Sequence, residues 1–230
     1  MIEIIPALIP QSLEEISNRV EHVQGLAKFI QIDITDGVLA GAKSWPLTPN
    51  AQDELVPIQS EEEGMPYWDS VDYELDLMVS PENMDMEKFM SLGPSRIIFH
   101  TKDALVLEDY LLKTPRGTVQ VGVAFDIEDT VDTMKPLFEK VDFVQCMGIA
   151  KIGFQGVPFD ERVYENISKI RDVYPTMPIT VDGGVTLENA QKLADAGATR
   201  LVVGSAIFHS NDPRSAYQDF LHLFPEAVTE

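Results

Sequence analysis

Eight short apolar runs recur along the chain, at Ile2 to Ile5, Phe29 to Ile34, Tyr73 to Val79, Arg96 to Phe99, Val119 to Phe125, Val141 to Cys146, Ile179 to Val181 and Leu201 to Val203. Their apolar residues follow one another rather than alternate with polar ones, as in parallel strands covered on both faces. Between most of them the period lengthens to that of a helix. Leu13, Ile16, Val20 and Val23 share one helical face, and Ser12 with Glu15 makes a Ser-x-x-Glu box in front of them. Ser80-Pro81 predicts the start of a helix over Asn83 to Met90, and Thr186 to Ala196 predicts another that Gly197 ends. Strands and helices alternating in this way predict a single-domain (β/α)8 barrel over residues 1–230. An open doubly wound sheet is the alternative, but the chain reads IIPALIPQS after the first strand, where dinucleotide binding needs Gly-x-Gly-x-x-Gly.

One interval breaks the alternation. From Val38 to Val71 the chain holds Pro46, Pro49, Pro57 and Pro66, the acidic triplet Glu61 to Glu63, and both tryptophans, Trp45 and Trp68. It predicts an extended acidic loop at about 38–71, either a lid over the barrel mouth or a solvated loop along its rim, with the second helix undecided.

Composition narrows the partners. The 230 residues include 38 Asp and Glu against 17 Lys and Arg, a formal charge of −21, while 44% apolar residues suffice for one core. Such a charge repels phosphate backbones and anionic lipid, which excludes nucleic acid and membrane surfaces as partners and leaves small metabolites. Cys146 is the one cysteine, which forms no internal disulfide and points to a reducing compartment. With no basic leader and no apolar stretch long enough to span a bilayer, the expected location is cytoplasmic.

Chemistry in such a barrel sits where strands end at their C-terminal side. Strand two runs Gln31-Ile32-Asp33-Ile34-Thr35, and alternation puts Gln31 and Asp33 on one side. Strand three carries Glu74 and Asp76 by the same rule. Strand seven ends in Asp182-Gly183-Gly184 and strand eight in Gly204-Ser205. Glycines after strands seven and eight, followed by a short helix, match a phosphate cradle of backbone N–H groups, although ordinary turns use the same residues. Gly153-Phe154-Gln155-Gly156 after strand six adds a third wall.

Together these motifs resemble the ribulose-phosphate 3-epimerase family from Ile5 to about Phe208: PALIPQS, IDITDG, DLMVSPEN, GFQGVPF, VDGGVTLENA and AGATRLVVGSAIF, in order. The resemblance implies a ribulose-phosphate-binding barrel that inverts C3 of a phosphorylated ketose, D-ribulose 5-phosphate to D-xylulose 5-phosphate. It further implies a divalent metal, a homo-oligomer, and Asp33 and Asp182 as the acid/base pair. Two carboxylates are needed because one removes the C3 proton and the other returns a proton to the opposite face of the enediolate. Met78 and Met147 match methionines that line the family's pocket, and His100 has a counterpart at the end of strand four, where a hydrogen bond behind the ligands is its expected part. His22, His209 and His222 look structural.

The chain departs from the family at the metal. Histidine normally stands where Gln31 and Asp76 do, so the implied ligand set of Gln31, Asp33, Asp76 and Asp182 is all oxygen. That set favours Mg²⁺ or Mn²⁺ over zinc or iron. Without an ion, converging carboxylates repel by about 4 kcal/mol per pair at 4 Å and an effective dielectric near 20, unless a lysine replaces the cation, for which Lys102 is the candidate. Pro10 stands where the family has a substrate-contacting serine, which leaves the sugar open. Two other readings fit: a related lyase or aldolase-type barrel acting through an enediolate, and a non-catalytic phosphosugar binder whose metal site has decayed.

Overall fold

The computed structural model describes residues 2–154 and 157–225. Eight parallel strands close into a barrel in chain order: β1 Glu3–Leu8, β2 Phe29–Thr35, β3 Asp72–Met78, β4 Arg96–Phe99, β5 Gln120–Phe125, β6 Phe143–Met147, β7 Ile179–Asp182 and β8 Arg200–Val203. The expected runs are therefore strands, with ends shifted by a few residues. The largest shift is at β1, which continues to Leu8, pairing with β8 as far as Pro6 and with β2 at Ala7 and Leu8.

The helices are α1 Leu13–Val23, α2 Ala51–Gln59, α3 Met86–Ser91, α4 Ala104–Leu112, α5 Val131–Phe138, α6 Arg162–Val173, α7 Leu187–Ala196, α8 Ser205–Phe208 and α9 Pro213–Leu223. In α1, Ile16, Val20 and Val23 are buried as their spacing requires. The Ser12 hydroxyl accepts from the Glu15 N–H, and Glu15 reaches back to the N–H of Gln11 rather than that of Ser12. Gly197 ends α7 at φ 117°, which a side chain would strain.

The helix expected over Asn83 to Met90 is two pieces. Pro81–Asn83 forms one 3₁₀ turn, Met84 is extended, and α3 begins afresh with the Asp85 carboxylate accepting from the Lys88 N–H. A second N-cap inside the pattern divides it. The 38–71 interval is likewise not irregular throughout, since α2 lies at its centre and buries Ala51, Leu55 and Ile58.

Most of the apolar core fills the layer between strands and helices, with Ile32, Leu75, Ile97, Val121, Val144, Val181 and Leu201 facing outward into it. Inside the barrel, apolar residues alternate with a polar stack. At the N-terminal end Arg96 bridges Glu3 at 2.9 Å and Glu74 at 3.2 Å and lies over the Phe29 ring. Conserving charge by pairing is what a closed interior demands of ionised groups. Above that layer, toward the C-terminal ends, lies the cluster described next.

Candidate active site

The register places the key side chains at one level. Asp33 pairs with Asp76 across β2 and β3, and Met147 with Asp182 across β6 and β7. One carboxylate oxygen from each of Asp33, Asp76 and Asp182 lies within 4.8 Å of the others. Asp33 and Asp182 line the mouth cavity, together with Met78, Met147, Gly153, Phe154, Gly183, Gly184, Gly204 and Ser205. Gln31 and Asp76 lie beneath it, fully buried.

Amide groups hold the carboxylates together. Gln31 Nε2 donates to Asp33 Oδ1 at 2.7 Å and to Asp182 Oδ2 at 2.9 Å. Gln145 Nε2, on β6, donates to Asp76 Oδ2 at 3.0 Å and to Asp182 Oδ2 at 3.4 Å. His100 Nε2 stands 2.7 Å from Asp76 Oδ1, which is the expected place behind the cluster. Burial first, then the charges of Asp182 and Asp76, push Asp33 well above the usual carboxylate range. Burial and Asp76 push Asp182 up to about 7. Burial would lower His100, but the neighbouring Asp76 carboxylate outweighs it and leaves the imidazole raised.

The donor set fits a hard cation. Three carboxylates converge, none of them paired with a lysine or arginine among the described residues, and the carbonyl oxygens of Gln31 and Gln145 are buried without a hydrogen-bond partner there. Unsatisfied acceptors beside repelling carboxylates are the donors an oxygen-liganded ion takes.

Lys102 does not supply the missing charge. Its ammonium is tied to Asp126 at 2.9 Å and to Asp129, on the β5 side of the rim, and is half exposed. Those pairs keep Lys102 out of the lining of the mouth cavity, so the sequence expectation of a pocket lysine is corrected. Lys102→Met is accordingly expected to leave kcat/KM within about twofold and to cost about 1 kcal/mol or less, as exposed ion pairs do; a tenfold loss of turnover would return Lys102 to the substrate.

The glycine turns serve as a backbone wall. Gly183 and Gly184 have φ of 103° and 68°, and at Gly183 a Cβ would stand 2.7 Å from the Ile149 side chain. The first N–H groups of α8, Ser205–Phe208, have no intrahelical acceptor, and no side chain caps them. Gln155 and Gly156 lie outside the described residues. At the rim, the β2 loop crosses to the β6 loop so closely that a Cβ on Gly41 would stand 2.4 Å from the Gly153 carbonyl oxygen. The 38–71 interval thus meets the β6 loop at the rim with its first residues and packs α2 on the barrel flank through Ala51, Leu55 and Ile58.

Two functional features went unread in the sequence. Gln145 is a lone polar residue in the apolar run FVQCM, in phase with Met147, and that phase was its signal. Asp36 accepts from Ser80 N at 2.9 Å, Ser80 Oγ at 2.6 Å and Asn83 Nδ2 at 3.0 Å, locking the β2 and β3 loops. Burial would raise Asp36, but the Asn83 and Ser80 hydrogen bonds hold it well below the usual range.

A closed parallel barrel with three converging carboxylates and glycine turns at its C-terminal rim has the architecture of a (β/α)8 enzyme. The chain belongs to the ribulose-phosphate 3 epimerase family, whose model matches residues 3–208. It is an isomerase of that carbohydrate-epimerase type, and the family is metal-dependent. Ribulose-phosphate 3-epimerase of Schizosaccharomyces pombe is 29% identical over 141 residues, 61% of each chain. That of Helicobacter pylori strain J99 is 25% identical over 221 residues, 94% of this chain and 95% of the relative. In fold, the chain is similar to 3-hexulose-6-phosphate synthase from Salmonella typhimurium, with TM-score 0.67 and 17% identity over 98% of this chain and 100% of that one. Among the described residues no helix is long and apolar enough to cross a membrane.

Proposed function

We propose that this chain interconverts D-ribulose 5-phosphate and D-xylulose 5-phosphate, with Asp33 and Asp182 moving the C3 proton and a divalent cation held by Gln31, Asp33, Asp76 and Asp182. The observation that carries the reading is Gln31 donating to both Asp33 and Asp182 from below, which aims two carboxylates from strands separated by β1 and β8 at one point in the cavity. A cation bound there supplies polarisation of the ketose oxygens. Mg²⁺ or Mn²⁺ suits the oxygen donors.

Each turnover needs one aspartate ionised and the other protonated, with the parts exchanged in the reverse direction. Burial serves this, because it raises both carboxyls and brings Asp182 to about 7, near the working pH. Met78 and Met147 offer soft apolar walls around the planar carbon and exclude water that would protonate it at random. Gly183, Gly184, Gly204 and Ser205 take the phosphate, fixing the distance between it and C3. A cytoplasmic homo-oligomer completes the reading; light scattering reads the assembly.

The test is proton NMR of ribulose 5-phosphate in D₂O with cation-stripped protein, then with Mg²⁺, Mn²⁺ or Zn²⁺. Loss of the C3 proton signal with appearance of xylulose 5-phosphate, dependent on cation, is expected. No exchange with any ion overturns the assignment, and cleavage fragments would favour the lyase reading.

A pH dependence follows from Asp182. A carboxyl raised in the folded state stabilises most when protonated; its contribution is full below the usual carboxylate range and is lost as pH rises through about 7. Cation-free protein is therefore expected to melt lower at pH 8 than at pH 5.5. Saturating Mg²⁺ should raise the midpoint more at pH 8, since protons compete with the ion. Equal shifts at both pH values in calorimetry would contradict it.

A further inference from the structure

We infer that Gln145 is a fifth donor of the cation site, presenting its side-chain carbonyl oxygen when the ion binds; this rests on the cation reading proposed above. Gln145 is completely buried on β6, and neither the family resemblance nor the carboxylate cluster calls for it. Its Nε2 sits 3.0 Å from Asp76 Oδ2 and 3.4 Å from Asp182 Oδ2, while its Oε1 has no partner. An octahedral ion with ligands at 2.0–2.1 Å spaces adjacent oxygens about 3 Å apart. The amide end of Gln145 therefore already occupies a position that a ligand beside Asp76 and Asp182 would take.

An amide is two-faced. With the cluster free of cation, its NH₂ is the end that attracts carboxylates, and it stands in for positive charge between Asp76 and Asp182. With a cation between them that NH₂ would face the ion, and a half-turn about the last side-chain bond exchanges it for the carbonyl oxygen at nearly the same point. The exchange converts an orphaned acceptor into a ligand and moves the NH₂ to where that acceptor was. Gln31 is built the same way, with Nε2 at 2.7 Å and 2.9 Å from Asp33 and Asp182 and an orphaned Oε1. The two amides flank Asp182 from β2 and β6, so three carboxylates and two amides make five oxygen donors and leave one position open for a sugar oxygen. A site of this kind needs no histidine, which accounts for a chain that carries glutamine and aspartate where the family has two.

Calorimetric titration of cation-stripped protein with Mn²⁺ and Mg²⁺ tests it, comparing the parent chain with Gln145→Leu, which keeps the volume and removes both amide ends. Binding at least tenfold weaker in Gln145→Leu is expected. Unchanged affinity in the variant overturns the fifth donor while leaving the cation reading intact. No binding of either ion to the parent chain removes the cation reading and the inference with it. A fold-independent readout uses the parent chain alone: the side-chain amide signals of Gln145, assigned by its loss in the variant or by selective labelling, should shift on adding Mg²⁺. If they stay put while the ion demonstrably binds, the amide does not turn and the inference fails.

Discussion

Asp182→Asn is expected to abolish epimerisation and, in the same protein, to raise the melting temperature of the cation-free barrel. The two effects share one cause. Asp182 lies against Asp76 and Asp33, and burial together with the Asp76 charge pushes its carboxyl up to about 7, so the folded state carries an ionisable group it would rather keep neutral. Asparagine keeps the shape and still accepts from Gln31 and Gln145 through its oxygen, but it has no proton to give or take. Losing one of two proton-transfer groups costs about 10²- to 10⁴-fold in kcat/KM. Relief of repulsion at pH 8 is worth about 2 kcal/mol, or about 4–8 °C for a domain of this size. Steady-state assay and differential scanning calorimetry of chelated protein read both. A variant that is inactive and also melts lower would show that the carboxylate is structural, held by partners stronger than its repulsions.

Gly148→Ala is expected to damage the site without touching a chemical group. Gly148 follows β6, and its N–H donates to the Asp182 carbonyl at 2.6 Å. A Cβ there would stand 2.2 Å from the Gly183 carbonyl oxygen, a backbone atom that cannot rotate away. The ends of β6 and β7 must part, and those ends carry Met147, Asp182 and the glycine wall. Overpacking of this kind costs about 3 kcal/mol, about 6–12 °C here. Displacing a reacting group by about 1 Å costs about 100-fold in rate, so kcat/KM should fall by that order even in the folded fraction. Full activity with an unchanged melting temperature would mean the strand ends yield at no cost.

Most of the frame and part of the site were legible in the chain. Strands buried on both faces write themselves as unbroken apolar runs, because each residue meets either the barrel interior or the helical layer. Asp33 and Asp182 stand out because each is a carboxylate at the end of an otherwise apolar run. The helix after β3 was misread because Pro81 and Asp85 are both competent starters. Which one wins depends on Asn83 being drawn away to Asp36, 47 residues earlier.

By itself, then, the sequence determined the barrel and the family, and it singled out Asp33, Asp182 and the glycine turns that the structure brings to one cavity. These are local signals, carried by periodicity and by residues adjacent in the chain. Only the tertiary structure decided that Gln145 joins Asp76 to Asp182, that His100 backs Asp76, and that Lys102 is held away from the mouth by Asp126 and Asp129. Each of those facts is a distance between strands or loops far apart in sequence. A closed barrel sets such distances through its register and the direction of every strand end, and no single segment contains that information.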